Sequence, residues 1–288
     1  MEEVLSLIKE QDFSTIPSVL SEMLRISNDP NADVADLAQL CEKDIATSAR
    51  MLRTANSIYF ATRYQNRART LKEAIVRIGF KAAQEIIMSS VVRVAMITRH
   101  SVMDYSTIGL WKHSIAVGIG NRLIHTRQHG ETRSLDPFLA GLLHDMGIAI
   151  EHQTMFARGF SDAIQNRYAN ASLLTEEESK AFGFTHEEIG EALARKWKFP
   201  DYLVSVIGNH HGAKTGNEAA ARLCHINRIS EWLCFSLNIG YCDFSKVHAD
   251  LLAQSREALE LGTDDIDWVA GRMHQEREAL TSIGWFSD

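Results

Sequence analysis

The chain has 288 residues, 45% of them hydrophobic and 23% charged, an ordinary balance for a globular protein with room for a substantial core. Its 30 Lys and Arg against 37 Asp and Glu give a formal net charge of −7, so the molecule as a whole repels a phosphate backbone. No apolar run approaches the roughly 20 residues that span a bilayer, and the acidic start Met1-Glu2-Glu3 lacks the basic character of a secretory signal, which together predict a cytoplasmic protein without membrane contact.

Only four prolines occur, and helical periodicity runs almost throughout. Val19, Leu20, Met23 and Leu24 fit one helical face, as do Val34, Leu37, Ala38 and Cys41 behind Asp33 as N-cap. The spacing of Thr70 and Glu73 is that of a capping box. It opens a short helix with Leu71, Ala74, Ile75 and Ile78 inward, ended by Gly79. A further helix is expected from about Lys81 into the nineties. Arg99 to Tyr105 reads as a junction, and a long helix carrying Trp111, Ile115 and Ile119 follows it.

Beyond the polar stretch Gln128–Ser134, Asp136-Pro137 sets up a helix start. Capping-box spacings recur at Thr175–Glu178 and Thr185–Glu188. Pro200 restarts a helix expected to reach His210-His211. From about Glu218 onward the pattern is three more helices, with Gly240 and Gly262 as stops. Nothing alternates convincingly with period two, so the fold class is all-α. The expected division is an N-terminal helical lobe over 1–100, a histidine-bearing core over 101–215, and C-terminal helices over 216–288.

Cys41, Cys224, Cys234 and Cys242 form no CxxC pair and read as reduced packing residues. The local basic stretch Arg63, Arg67, Arg69, Lys72, Arg77 and Lys81 reads first as a solvated face. A nucleic-acid site there is the weaker alternative, which charge reversal at Arg67 and Arg69 would test. In the last two helices Leu251, Leu252, Leu259, Trp268, Val269 and Met273 supply enough apolar surface to pack on the core or to form a homodimer.

Five of the 12 histidines stand out along the chain: His113, His144 beside Asp145, His186, and the adjacent His210-His211. Neutral imidazole and carboxylate suit iron, zinc, manganese or nickel. Each lies on an expected helix or at its end, where rotamers are restricted. Gly147, three residues after His144, leaves room for a close neighbour. Singly, each has a plain alternative: His113 as a hydrogen-bonded core residue, His186 as a surface residue, and His210-His211 as side chains diverging by roughly 100°. Order and spacing together carry the signal.

Trp111-x-His113-Ser114, Gly141-Leu142-Leu143-His144-Asp145-Met146-Gly147, Phe182-Gly183-x-x-His186-x-x-Ile189-Gly190, Trp197-x-x-Pro200 and His210-His211 resemble the HDOD domain. In the N-terminal part, Ile16-Pro17, Asp44, Leu52, Ala55-Asn56-Ser57 and Ala74-Ile75-x-x-Ile78-Gly79 are similar to the same family. The resemblance spans roughly Asp12 to Trp232. It implies an N-terminal helical bundle joined to an HD-like helical core, and a role in bacterial signal transduction through protein partners, often as a response-regulator output.

By relation to HD phosphohydrolases, it also implies that His113, His144, Asp145, His186, His210 and His211 are metal ligands, with His144 and Asp145 at the centre of any catalysis. Three departures weigh against hydrolysis. Ile148 stands where the related HD-GYP phosphodiesterases carry a lysine, His211 is followed by Gly212-Ala213-Lys214 rather than Gly-Tyr-Pro, and the closing aspartate falls near Asn227, a neutral amide. The resulting expectation is a non-catalytic signalling domain that retains a divalent metal. Its alternative is a metal-dependent phosphohydrolase acting on a nucleotide or cyclic dinucleotide. No receiver-type αβ alternation is visible in the chain.

Overall fold

The computed structural model of the chain describes residues 15–57, 66–97, 101–103, 105–132, 134–170, 172–212, 215–241, 249–282 and 284–286. Arg63, Lys214 and Cys242 lie outside them, as do Met1-Glu2-Glu3 and Asp12. Cys41, Cys224 and Cys234 are buried.

The N-terminal helices are α1 (Thr15–Asn28), α2 (Val34–Glu42), α3 (Ile45–Ala55), α4 (Leu71–Ile78) and α5 (Phe80–Met96). Their starts follow local chemistry. The Asp33 carboxylate accepts from the Ala35 amide while Asp36 accepts from Asp33, closing a capping box. Asp44 accepts from the amides of Ala46 and Thr47. Thr70 caps Glu73, but the Glu73 carboxylate turns to the Arg69 amide, so that expected box is only half closed. Gly79, at φ +94°, lets α4 pass directly into α5; its positive φ strains any residue with a Cβ.

A two-residue antiparallel ladder follows, β1 (Ser101–Val102) with β2 (Tyr105–Ser106), pairing Ser101 with Ser106 and Val102 with Tyr105. The periodicity reading contains no strand, because two residues are too few to show an alternation.

The long helix α6 (Thr107–His129) is the axis of the molecule. Leu110, Trp111, His113 to Asn121, Leu123 and Ile124 are all buried. Around it pack α5, α7 (Asp136–Leu143), α13 (Glu218–Ser236) and α15 (Thr263–Ser282). Arg122 of α6 pairs with Glu85 of α5 at 2.8 Å and also with Glu276 of α15, bracing α5 and α15 against the axis. The crossing of α6 and α7 is tight: a Cβ on Gly141 would lie 2.5 Å from the Gly118 nitrogen.

Completing the chain are α8 (Met146–Met155), α9 (Phe160–Asn170), α10 (Leu174–Phe182), α11 (His186–Lys196), α12 (Asp201–Ile207) and α14 (Ala249–Ala258). Two expectations are corrected here. Helix α10 starts at Leu174 without a side-chain cap, because Glu178 points into the interior instead of back to Thr175. Helix α12 stops at Ile207, and His210-His211 occupy the turn beyond it. The Thr185–Glu188 box does form, at the start of α11. Among the described residues no helix is long and apolar enough to cross a membrane.

Candidate metal centre

Six side chains from four separate places meet beside α6. His113 sits midway along α6, His144-Asp145 in the break between α7 and α8, His186 on the first turn of α11, and His210-His211 after α12. Gly147 makes the meeting of α8 and α11 possible: a Cβ there would fall 1.9 Å from the carbonyl oxygen of His186. No side chain other than hydrogen fits.

Asp145 is the hub. Its Oδ2 lies 3.1 Å from His144 Nε2 and 3.5 Å from His113 Nε2. Its Oδ1 lies 3.4 Å from His210 Nε2 and 3.8 Å from His186 Nε2. His186 Nε2 is in turn 3.4 Å from His210 Nε2 and 3.1 Å from His211 Nε2. Ligand atoms held roughly 2.0–2.2 Å from one metal ion stand about 3.0–3.5 Å from each other, so these spacings suit a cation in their midst. The donor set of imidazole and carboxylate suits a transition metal.

The unused ring nitrogens fix the tautomers. His144 Nδ1 donates to the Gly141 carbonyl at 2.7 Å, His210 Nδ1 to the Ile207 carbonyl at 3.1 Å, and His186 Nδ1 to the Glu178 carboxylate at 2.8 Å. Each ring thereby turns Nε2 toward Asp145, the orientation a ligand needs. Burial pushes His113 down to about 3 against the pull of Asp145. It also lowers His211 well below the usual imidazole value, helped by His210 and His186. Both rings are therefore neutral near pH 7. Burial alone would depress His186 too, but the Glu178 carboxylate raises it to about 10. Asp145 resists burial and is held well below the ordinary carboxylate range by His144 and its other histidine neighbours.

Two carboxylates belong to this centre that the histidine pattern did not single out. Glu178 clamps His186, accepting from both its backbone amide and its ring. Behind it, burial and the Glu178 charge raise the Glu151 carboxyl far above its usual value. The second is Glu231. Asn227 is itself buried away from the ligand cluster, accepting from Asn121 and donating from Nδ2 to Glu231 Oε1 at 2.8 Å. One helical turn on, Glu231 Oε1 reaches 3.4 Å from His144 Nε2 and with His144 and His210 forms a triad within ligand distance. The carboxylate sought at Asn227 thus stands at Glu231. Its sequence signal was slight: an acid four residues after Asn227, on a face that carries Cys224 and Cys234 but also Arg228.

Ile148 is buried, so no cation occupies that place. Arg228, on α13, instead donates to the His211 carbonyl at 2.8 Å, while Glu187 accepts from the His211 amide at 3.0 Å, pinning the His210-His211 turn.

A helical bundle carrying this histidine and aspartate cluster defines the class: an HD-like domain in which a second helical lobe precedes the core. The model of the HDOD domain family matches residues 13–213, and the chain belongs to that family. An uncharacterized protein of Treponema pallidum (strain Nichols) is 24% identical over 212 residues, which are 69% of this chain and 38% of that protein; the chain thus spans well under half of that relative's length. Among solved structures, an HDOD domain protein of unknown function from Geobacter sulfurreducens is similar at a TM-score of 0.71 and 21% identity, with 92% of each chain covered. A Marinobacter aquaeolei VT8 protein provisionally named for signal transduction gives 0.74 and 19%, over 95% of this chain and 59% of its own. A Shewanella amazonensis SB2B protein provisionally named a phosphohydrolase gives 0.65 and 20%, over 96% and 98%. At these identities the likeness is one of fold.

Proposed function

We propose that the chain is a bacterial signalling domain built around a divalent transition-metal centre, and that it acts on protein partners rather than as an efficient hydrolase. The proposed ligands are His113, His144, Asp145, His186, His210 and His211, joined by Glu231. Iron, manganese, zinc and nickel all suit this set. A bound metal would polarise a phosphoryl oxygen and acidify a water; the chain's own residues hold and orient it.

The observation that carries the reading is closure. The side chains of His144, His186 and His210 are at most 1% exposed and those of Asp145 and Glu231 only 8%, with His211 alone among the proposed ligands half-buried. A structural metal centre is closed, whereas a catalytic one keeps a position open to substrate. Such a buried centre ties α6, the α7–α8 break, α11 and the turn after α12 into one unit, on which a partner can act from outside. The division into segments 1–100, 101–215 and 216–288 belongs to the same proposal, as does the cytoplasmic setting.

A second reading has its own support. With Glu231 in place the ligand set has two carboxylates, which removes one of the departures counted against a phosphohydrolase acting on a nucleotide or cyclic dinucleotide. Purified protein, loaded in turn with Mn²⁺, Fe²⁺ and Zn²⁺, separates the two through metal analysis and hydrolysis assays on mono-, di- and cyclic nucleotides. Stoichiometric metal without turnover is the expected result. Metal-dependent turnover that His144→Ala abolishes would establish the hydrolase instead, and protein that takes up no metal would overturn both.

A further inference from the structure

Away from the histidines, where α3, α5 and α6 meet the end of the chain, two guanidinium groups converge on two indoles. Trp111 and Trp285 stack with centroids 5.7 Å apart. Arg50 lies over Trp285 at 4.7 Å and near Trp111 at 5.9 Å, and Arg93 lies over Trp111 at 5.2 Å. The indole faces offset part of the positive charge. They do nothing for the N–H groups around the guanidinium edge, which lie in the plane of the ion and require acceptors.

For the Nε of each arginine that acceptor is missing, while both side chains are half-buried and open in part to solvent. The Nε atoms of Arg50 and Arg93 and Nε1 of Trp285 are sealed from solvent without a hydrogen-bond partner, and neither arginine has an ion pair among the described residues. Trp285 is only 4% exposed. Among the described residues the carboxylate that acts on Arg50 is Asp44, and it is already committed to the amides of Ala46 and Thr47 and to the Thr47 hydroxyl. Burial, Arg93 and Arg53 together push Arg50 down to about 10. Like charges held together beside unpaired donors destabilise the fold unless an anion neutralises them.

We propose that Arg50 and Arg93, stacked on Trp285 and Trp111, form a binding site for a phosphate-bearing small molecule at the junction between the N-terminal helices and α6. A tetrahedral oxyanion offers acceptors to two guanidinium forks at once, the geometry arginine serves best. The site is separate from the metal centre and does not depend on it. Its position gives it leverage: Trp111 donates from Nε1 to the Ser89 carbonyl of α5 at 2.9 Å and lies two residues before His113 on α6. An anion drawing α3 and α5 together over Trp111 would therefore act on the helix that carries the first histidine of the cluster.

The test uses full-length protein stripped of metal by chelation, so that phosphate bound to a metal cannot contribute. Inorganic phosphate, pyrophosphate and AMP are titrated separately by calorimetry and by tryptophan fluorescence; their order of affinity tells a free phosphate site from a nucleotide site. Saturable binding is expected, weakened about tenfold or more by Arg50→Gln or by Arg93→Gln. Arg93→Lys, which keeps charge but loses the fork, should weaken it by a lesser factor. Arg195→Gln, which removes an exposed guanidinium paired with Glu191, should leave it unchanged. Helical circular dichroism confirms that each variant is folded, and the two single variants guard against the loss of either. Absence of saturable binding by the wild-type protein, or binding that survives both Arg50→Gln and Arg93→Gln, overturns the proposal.

Discussion

Replacing Glu231 by glutamine keeps the side chain's length and its contact with Asn227 but removes one negative charge from the proposed centre. Glu231 Oε1 stands 3.4 Å from His144 Nε2, and at that distance a pair of unit charges in an effective dielectric near 20 interacts by about 5 kcal/mol. Burial already raises the Glu231 carboxyl above its ordinary value, so relief from that desolvation offsets part of the loss, and the glutamine carbonyl retains a weak dipolar contact. A net cost of about 2–3 kcal/mol follows, which is roughly a 30- to 150-fold rise in the metal dissociation constant. Competition against a chromogenic chelator, with Zn²⁺ and Mn²⁺ in turn, measures it directly, and metal content after gel filtration gives the stoichiometry. Glu231→Asp, retracting the carboxylate by one methylene, should fall between glutamine and wild type. If Glu231→Gln binds with unchanged stoichiometry and an affinity within about twofold of wild type, no more than the error of such a titration, Glu231 does not contact the metal and the carboxylate count returns to Asp145 alone.

Glu178→Gln leaves the ligand set whole but weakens the clamp on His186 Nδ1. Metal affinity should drop by roughly 10- to 100-fold with little change in helical content, read by the same competition assay. Gly147→Ala drives a methyl group into the backbone of His186, which cannot move aside as a side chain could. A loss of about 2–3 kcal/mol or more in denaturant unfolding is expected, together with impaired metal uptake. Asp44→Ala removes the cap of α3 and should cost about 1 kcal/mol while leaving metal affinity as it was; a large effect on the metal would show that the two lobes are coupled through α3.

What the chain determines locally was open to reading from sequence. The helices declare themselves through apolar spacing and through caps such as Asp33, Asp44 and Thr185, because a helix start must satisfy its first amides within a few residues. His113, His144-Asp145, His186 and His210-His211 were legible as a set, since their order and flanking glycines fit a family pattern, although nothing in the spacing alone showed that they converge. The tertiary structure decided the rest. Glu178 matches a capping box as well as Thr185–Glu188 does, and only the tertiary fold, which brings it to the first turn of α11, turned its carboxylate inward to His186. Asn227 occupied the expected carboxylate position in sequence, yet the turn of α13 brings the Glu231 carboxylate within reach of His144 and His210, because where an oxygen arrives in space is set by packing. The apposition of Arg50 and Arg93 on Trp111 and Trp285 joins residues as much as 235 positions apart (285 − 50), and no local rule of propensity or capping reaches across that distance.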